Sequence, residues 1–169
     1  MTPFHQFHWR HYFKYAGIAV IFYCACVLFY CRDVTFSETW VLFTGNLLFL
    51  VVISASLFSF NKHRRNNAST VSMLAAGHIT TLTAIVISCL ACFIILLIYI
   101  PGFLGTPHRL LHDEPVNIVR GKTNGLVFII FMSTTMGNFV AGSSASILFS
   151  FTLKSNQTKE SETSELSDL

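Results

Sequence analysis

ITTLTAIVISCLACFIILLIYI, residues 79–100, runs for 22 residues without an Asp, Glu, Lys or Arg. As a helix it would extend about 33 Å, enough to cross the roughly 30 Å hydrocarbon layer of a bilayer. Its flanks agree with that reading. Pro101-Gly102 stops a helix on one side. On the other side, residues 70–78 (TVSMLAAGH) are mildly amphipathic, and read either as an interfacial elbow or as the first turns of a long helix.

Three further charge-free gaps lie outside this stretch, at 15–31, 39–61 and 123–153. Each holds one crossing. A membrane β-barrel would show short alternating segments, whereas these runs are continuously apolar. With 53% hydrophobic and 11% charged residues and a mean hydropathy of +0.59, the composition excludes an ordinary soluble globule, a disordered chain and a disulfide-stapled secreted module. The expected fold is all-α: a polytopic membrane protein with four transmembrane helices in one bundle. The spans are set at about 15–31, 39–60, 79–100 and 125–147 within a domain of 15–153. Thr35 and Glu38 have the spacing of a capping box before the second span. An aromatic, partly basic arm (1–14) is expected to lie in the headgroup layer. A Ser/Thr/Glu-rich tail (154–169) is expected to be disordered. The first span reads as a retained signal anchor, because no small-x-small cleavage site follows it.

Lys and Arg counts set the orientation. Arg10, Lys14, Lys62, Arg64, Arg65, Lys154 and Lys159 fall on one side, seven in all, against Arg32, Arg109, Arg120 and Lys122, four, on the other. Both termini are therefore expected in the cytoplasm. The cluster Lys62, Arg64 and Arg65 reads as a topogenic anchor or as a seat for anionic lipid heads.

No ionisable Asp, Glu, Lys or Arg lies inside a span, which argues against a proton-coupled carrier. Cys89-Leu-Ala-Cys92 has redox spacing, yet it lies roughly 12–16 Å inside the hydrocarbon, where a thiolate is disfavoured. His108, His112 and Asp113 form a weak metal candidate in a loop bracketed by Pro107 and Pro115. His5, His8 and His11 form another on the N-terminal arm. The ordinary readings, a surface turn and an interfacial helix, are preferred, and no cofactor is expected. Nucleic acid is not expected as a partner; membrane lipids are.

The strongest positive pattern is small residues. Ser133, Gly137, Ala141 and Ala145 recur every four residues in the fourth span, beside a second row of Thr134, Asn138, Gly142, Ser146 and Ser150. In the third span Gly77, Thr81, Ala84, Ser88 and Ala91 recur at steps of four and three. Helices in lipid associate where small residues let backbones approach. The expectation is that Ala84, Ser88 and Ala91 pack against Gly137, Ala141 and Ala145. Asn138 is expected to hydrogen-bond to Ser88 or Ser54, or to a backbone carbonyl beside one of them, with Asn46 the poorer candidate because it lies nearer the outer face.

The layout resembles a family of small, uncharacterised four-span bacterial inner-membrane proteins. Residues 61–65 (NKHRR) leading into the third span and 142–146 (GSSAS) leading to Lys154 carry the likeness. The resemblance implies a bacterial inner-membrane location and brings no catalytic motif. The functional expectation is a non-enzymatic packing or interaction subunit, or a homo-oligomer. A channel or uncoupled facilitator lined by Ser, Thr and Asn is the alternative.

Overall fold

A computed structural model describes residues 9–32, 38–63, 68–99 and 125–167, with side chains described as far as Lys154. Among the described residues there are four helices: α1 (Trp9–Arg32), α2 (Trp40–His63), α3 (Thr70–Tyr99) and α4 (125–167). Within α4, the turn Ser133–Gly137 is a π-helix, and the α-helix resumes at Asn138–Ser167. The described residues contain no strand. Each helix is long and apolar enough to cross a membrane, over Trp9–Arg32, Trp40–His63, Thr70–Tyr99 and Gly125–Lys154.

The bundle carries bulky apolar side chains on its outer surface as well as in its core. Large apolar side chains face outward on every helix: Ile21 and Phe22, Phe43 and Leu47, Val86 and Leu90, Phe139 and Val140 are all exposed. The buried set includes Thr80, Thr81, Ser88, Thr134, Asn138, Ser146 and Ser150. Hydroxyls buried beside an apolar core, with large apolar side chains outside, suit a helix bundle long and apolar enough to cross a membrane.

α1 packs against α2 and α3, and α4 packs against the same two helices, so α1 and α4 stand at opposite corners. α2 and α3 meet across the middle. One end of the bundle is built around Tyr30, Leu42, Leu96 and Ile130; the other is built around Tyr12, Leu57, Phe60 and Met73.

Helix ends differ from the charge-gap limits for identifiable reasons. α1 begins at Trp9, so residues 9–14 belong to the first helix instead of a separate arm; Trp9 and Phe13 stack along it at 6.0 Å. α2 runs past Lys62 to His63. Lys and Arg near a helix end keep their heads in the polar layer while the backbone stays helical, so a charge marks the interface and not the last helical residue. Residues 70–78 are the opening turns of α3. The Ser69 hydroxyl caps it, accepting the Ser72 amide at 3.2 Å. α4 continues to Ser167, where a disordered tail was expected from 154. No Gly or Pro follows Gly142, and adding turns to an existing helix avoids the unfavourable nucleation step. Thr35 of the capping box, Pro101 and Gly102 lie outside the described residues.

Candidate functional site

The two small-residue rows of α4 do different things. Thr134, Asn138, Gly142, Ser146 and Ser150 are all buried, and Leu126 and Ile130 extend the row toward the start of the helix. Positions four apart on an α-helix drift by about 40° per step, so a row of this length would normally wind out of the core. The π turn, with more residues per turn, takes back that drift midway. The backbone N–H of Asn138 marks it, donating to the carbonyls of Ser133 and Thr135.

This buried row faces α3 at very close range. A β-carbon on Gly142 would collide with Thr81 Oγ1, and one on Gly77 would collide with Ser146 Oγ. The first row turns toward α2 and the centre. A β-carbon on Gly137 would strike Asn46 Nδ2 of α2, not α3 as expected from the sequence. Ser133 accepts from Asn46 Nδ2 at 3.1 Å. Ala145 is fully buried with Ala84 in the central apolar cluster, and Ala91 and Ala141 are half-buried against that cluster. Ser88 is fully buried.

At the π turn a polar cluster joins three helices. Thr134 Oγ1 donates to the Ile130 carbonyl at 2.7 Å, which uses its only proton. Tyr23 of α1, 3.1 Å away, must therefore be the donor to Thr134 Oγ1. Cys92 Sγ of α3 approaches the same oxygen at 3.6 Å. Gly45 lets the Tyr23 ring in: a β-carbon there would be 3.0 Å from Tyr23 Cδ2.

Asn138, next on the buried row, has no such satisfaction. It is fully buried, and neither Nδ2 nor Oδ1 has a hydrogen-bond partner among the described residues. The expected bond to Ser88, to Ser54 or to a backbone carbonyl beside one of them is not made. Ser54 Oγ donates to the Leu50 carbonyl at 2.8 Å, and Ser88 Oγ is itself unpartnered. The register explains the levels. Gly142 meets Thr81, and Thr134 meets Cys92, so Asn138, midway between those crossings, stands level with Ala84 and Ser88. Thr81 Oγ1, Ser150 Oγ and Asn46 Oδ1 are also buried and unpartnered. Unsatisfied polar atoms are few in native interiors, and each one calls for a physical explanation.

The remaining sequence candidates are scattered. Lys62 is exposed at the end of α2. Arg64, Arg65, His108, His112, Asp113, His5 and His8 lie outside the described residues. His11 Nε2 donates to the Ser56 carbonyl at 3.2 Å, joining α1 to α2. His78 Nδ1 donates to the Leu74 carbonyl at 2.9 Å. All five cysteines are free thiols. Among the described residues no group of three His, Cys, Asp or Glu could hold a metal ion.

Tyr23 and Thr81 received no role from the sequence analysis beyond membership of a span or row. A tyrosine at mid-span beside a glycine on the neighbouring helix is the signal that would have found the first. Comparison with protein-family models, curated proteins and solved structures returns no match. The functional reading rests on this geometry.

Proposed function

We propose that the chain is a multi-pass membrane protein of the bacterial inner membrane that acts as an uncoupled facilitator for a small neutral polar solute. The observation that supports this is the continuous buried row from Thr134 to Ser150. The rise from Thr134 to Ser150 covers about 24 Å of helix, most of the hydrocarbon thickness. The row carries hydroxyls and an amide and no charge, so it offers hydrogen bonds to a solute without a group that would couple transport to protons. In the conformation described, Gly142 on Thr81 and Gly77 on Ser146 close it. Passage requires α3 and α4 to part.

The sequence alone put a packing subunit or homo-oligomer first. The small residues that suggested it are occupied within the chain itself, against α2 and α3, while the outward faces carry bulky apolar side chains suited to lipid. That reading is therefore second. Both termini are placed in the cytoplasm on the cation count of seven against four, with membrane lipids as the surrounding partners and Lys62, Arg64 and Arg65 at the headgroups.

The test is flux. Purified full-length protein in liposomes is challenged with osmotic gradients of water, urea, glycerol and potassium chloride. Enhanced permeation of a neutral solute without potassium leakage supports the reading. Rates equal to protein-free vesicles for every solute would return the chain to the packing-subunit class.

A further inference from the structure

We infer that the Asn138 carboxamide is a binding point for a small neutral solute that presents a hydrogen-bond donor and acceptor side by side, of the amide or urea type. The inference deepens the facilitator reading and rests on it for its role in transport. Three observations carry it. Asn138 is fully buried with both ends of its amide unpartnered. It stands between two tight crossings, Gly142 on Thr81 and Thr134 on Cys92, and the unpartnered Thr81 Oγ1 at the first of these adds a further unmet polar atom one turn away. Ser88, level with it on α3, is also fully buried and unpartnered.

The chemistry of the ligand follows from these groups. A carboxamide offers N–H donors and a C=O acceptor in one plane, a short distance apart. Its complement is a second group of the same kind, which closes a ring of two N–H···O=C bonds. A primary amide or urea does this and leaves a further N–H or carbonyl for Ser88. A cation or anion finds no counter-charge anywhere on the row and would carry the full desolvation penalty. Binding would also resolve the unmet amide, which is unfavourable in a low-dielectric interior.

The experiment has two independent readouts on the full-length protein and an Asn138→Leu variant. In liposomes, stopped-flow permeation of urea, acetamide, glycerol and water is compared. In bicelles, protein labelled with 15N-asparagine is titrated with acetamide, and the Asn138 side-chain NH2 signal is identified by its loss in the variant. The expected result is a titratable shift of that signal, together with an about tenfold fall in urea and acetamide permeation in the variant. Folding is checked by helical circular dichroism and elution as a single species. An unshifted Asn138 signal overturns the inference whatever the flux. A shift without flux in either protein keeps the binding site and removes the facilitator reading. Solute flux that persists in Asn138→Leu keeps the facilitator and removes Asn138 from it. Loss of water permeation alone identifies the occupant as water and overturns the amide class.

Discussion

Gly137 of α4 lies so close to Asn46 of α2 that a single added methyl would strike the asparagine amide, and the same amide nitrogen donates to Ser133 Oγ at 3.1 Å. One asparagine thus fills the space that a glycine leaves and ties down the turn on which that glycine sits.

Gly137→Ala should therefore displace Asn46 and lose its bond to Ser133, lowering stability by about 1–3 kcal/mol. The double variant with Asn46→Ala should recover part of that loss, because the obstruction is gone. Thermal unfolding in detergent measures it. A fair control for a bulkier Gly137 variant is Leu148→Phe at an outward-facing site, whereas Leu126 is buried and would be overpacked by Phe. Equal loss in the single and double variants would show that Asn46 is not the obstacle.

Gly77→Ala should separate α3 from α4 through Ser146, whose Cβ would stand 2.8 Å from the new methyl. Rotating the serine does not relieve a contact with its Cβ. Ser146→Gly should rescue, with a coupling of about 1 kcal/mol or more in a double-mutant cycle. Additivity of the two substitutions would exclude this contact.

Tyr23→Phe removes the donor to Thr134 while keeping the ring beside Gly45. Interhelical bonds in membranes average about 0.6 kcal/mol, so the expected effect is mild and of the same size as Thr134→Val. In the double variant the second change should add little. A loss several-fold larger would mean that Tyr23 holds more than this bond.

Asn138→Leu should leave stability equal or raise it, by about 1 kcal/mol, because an unpaired amide leaves the interior and an apolar group of similar size replaces it. The measurement is the unfolding midpoint in the absence of added solute. A clear fall would show that the amide has a partner in the empty protein.

Reporter fusions at residues 70, 112 and 169 should report cytoplasm, outside and cytoplasm. Replacing Lys62, Arg64 and Arg65 together leaves four cations against four and should produce mixed orientations. A cytoplasmic signal at 112 in the wild type would invert the topology.

The four long helices were legible because continuous charge-free apolar runs mark each of them. Their ends were less so, since Arg10, Lys14 and Lys62 sit on helical turns. Which row of α4 faces inward could not be read from that helix alone, because both rows are small and the choice depends on Thr81 and Asn46 of its neighbours. Asn46 does not partner Asn138, as depth counting expected, but it meets α4 deeper than that counting implies. Counted from the helix ends it lies about 9 Å in and Gly137 about 18 Å in, yet the two touch, so the ends of α2 and α4 do not share a plane. The π turn has no composition of its own: Ser-Thr-Thr-Met-Gly would serve equally in an ordinary helix.

That turn changes what a deletion means in α4. Elsewhere in the helix, dropping one residue throws every later side chain out of frame. Within Ser133–Gly137 it would instead convert the turn to ordinary helix. The turn absorbs one extra residue, so the two halves would keep nearly the same facing after its loss. The half carrying Ile130 and the half carrying Ser146 would still meet the same neighbours. The chain therefore holds a position where losing a single codon keeps both the helix unbroken and the surface it shows to its partners.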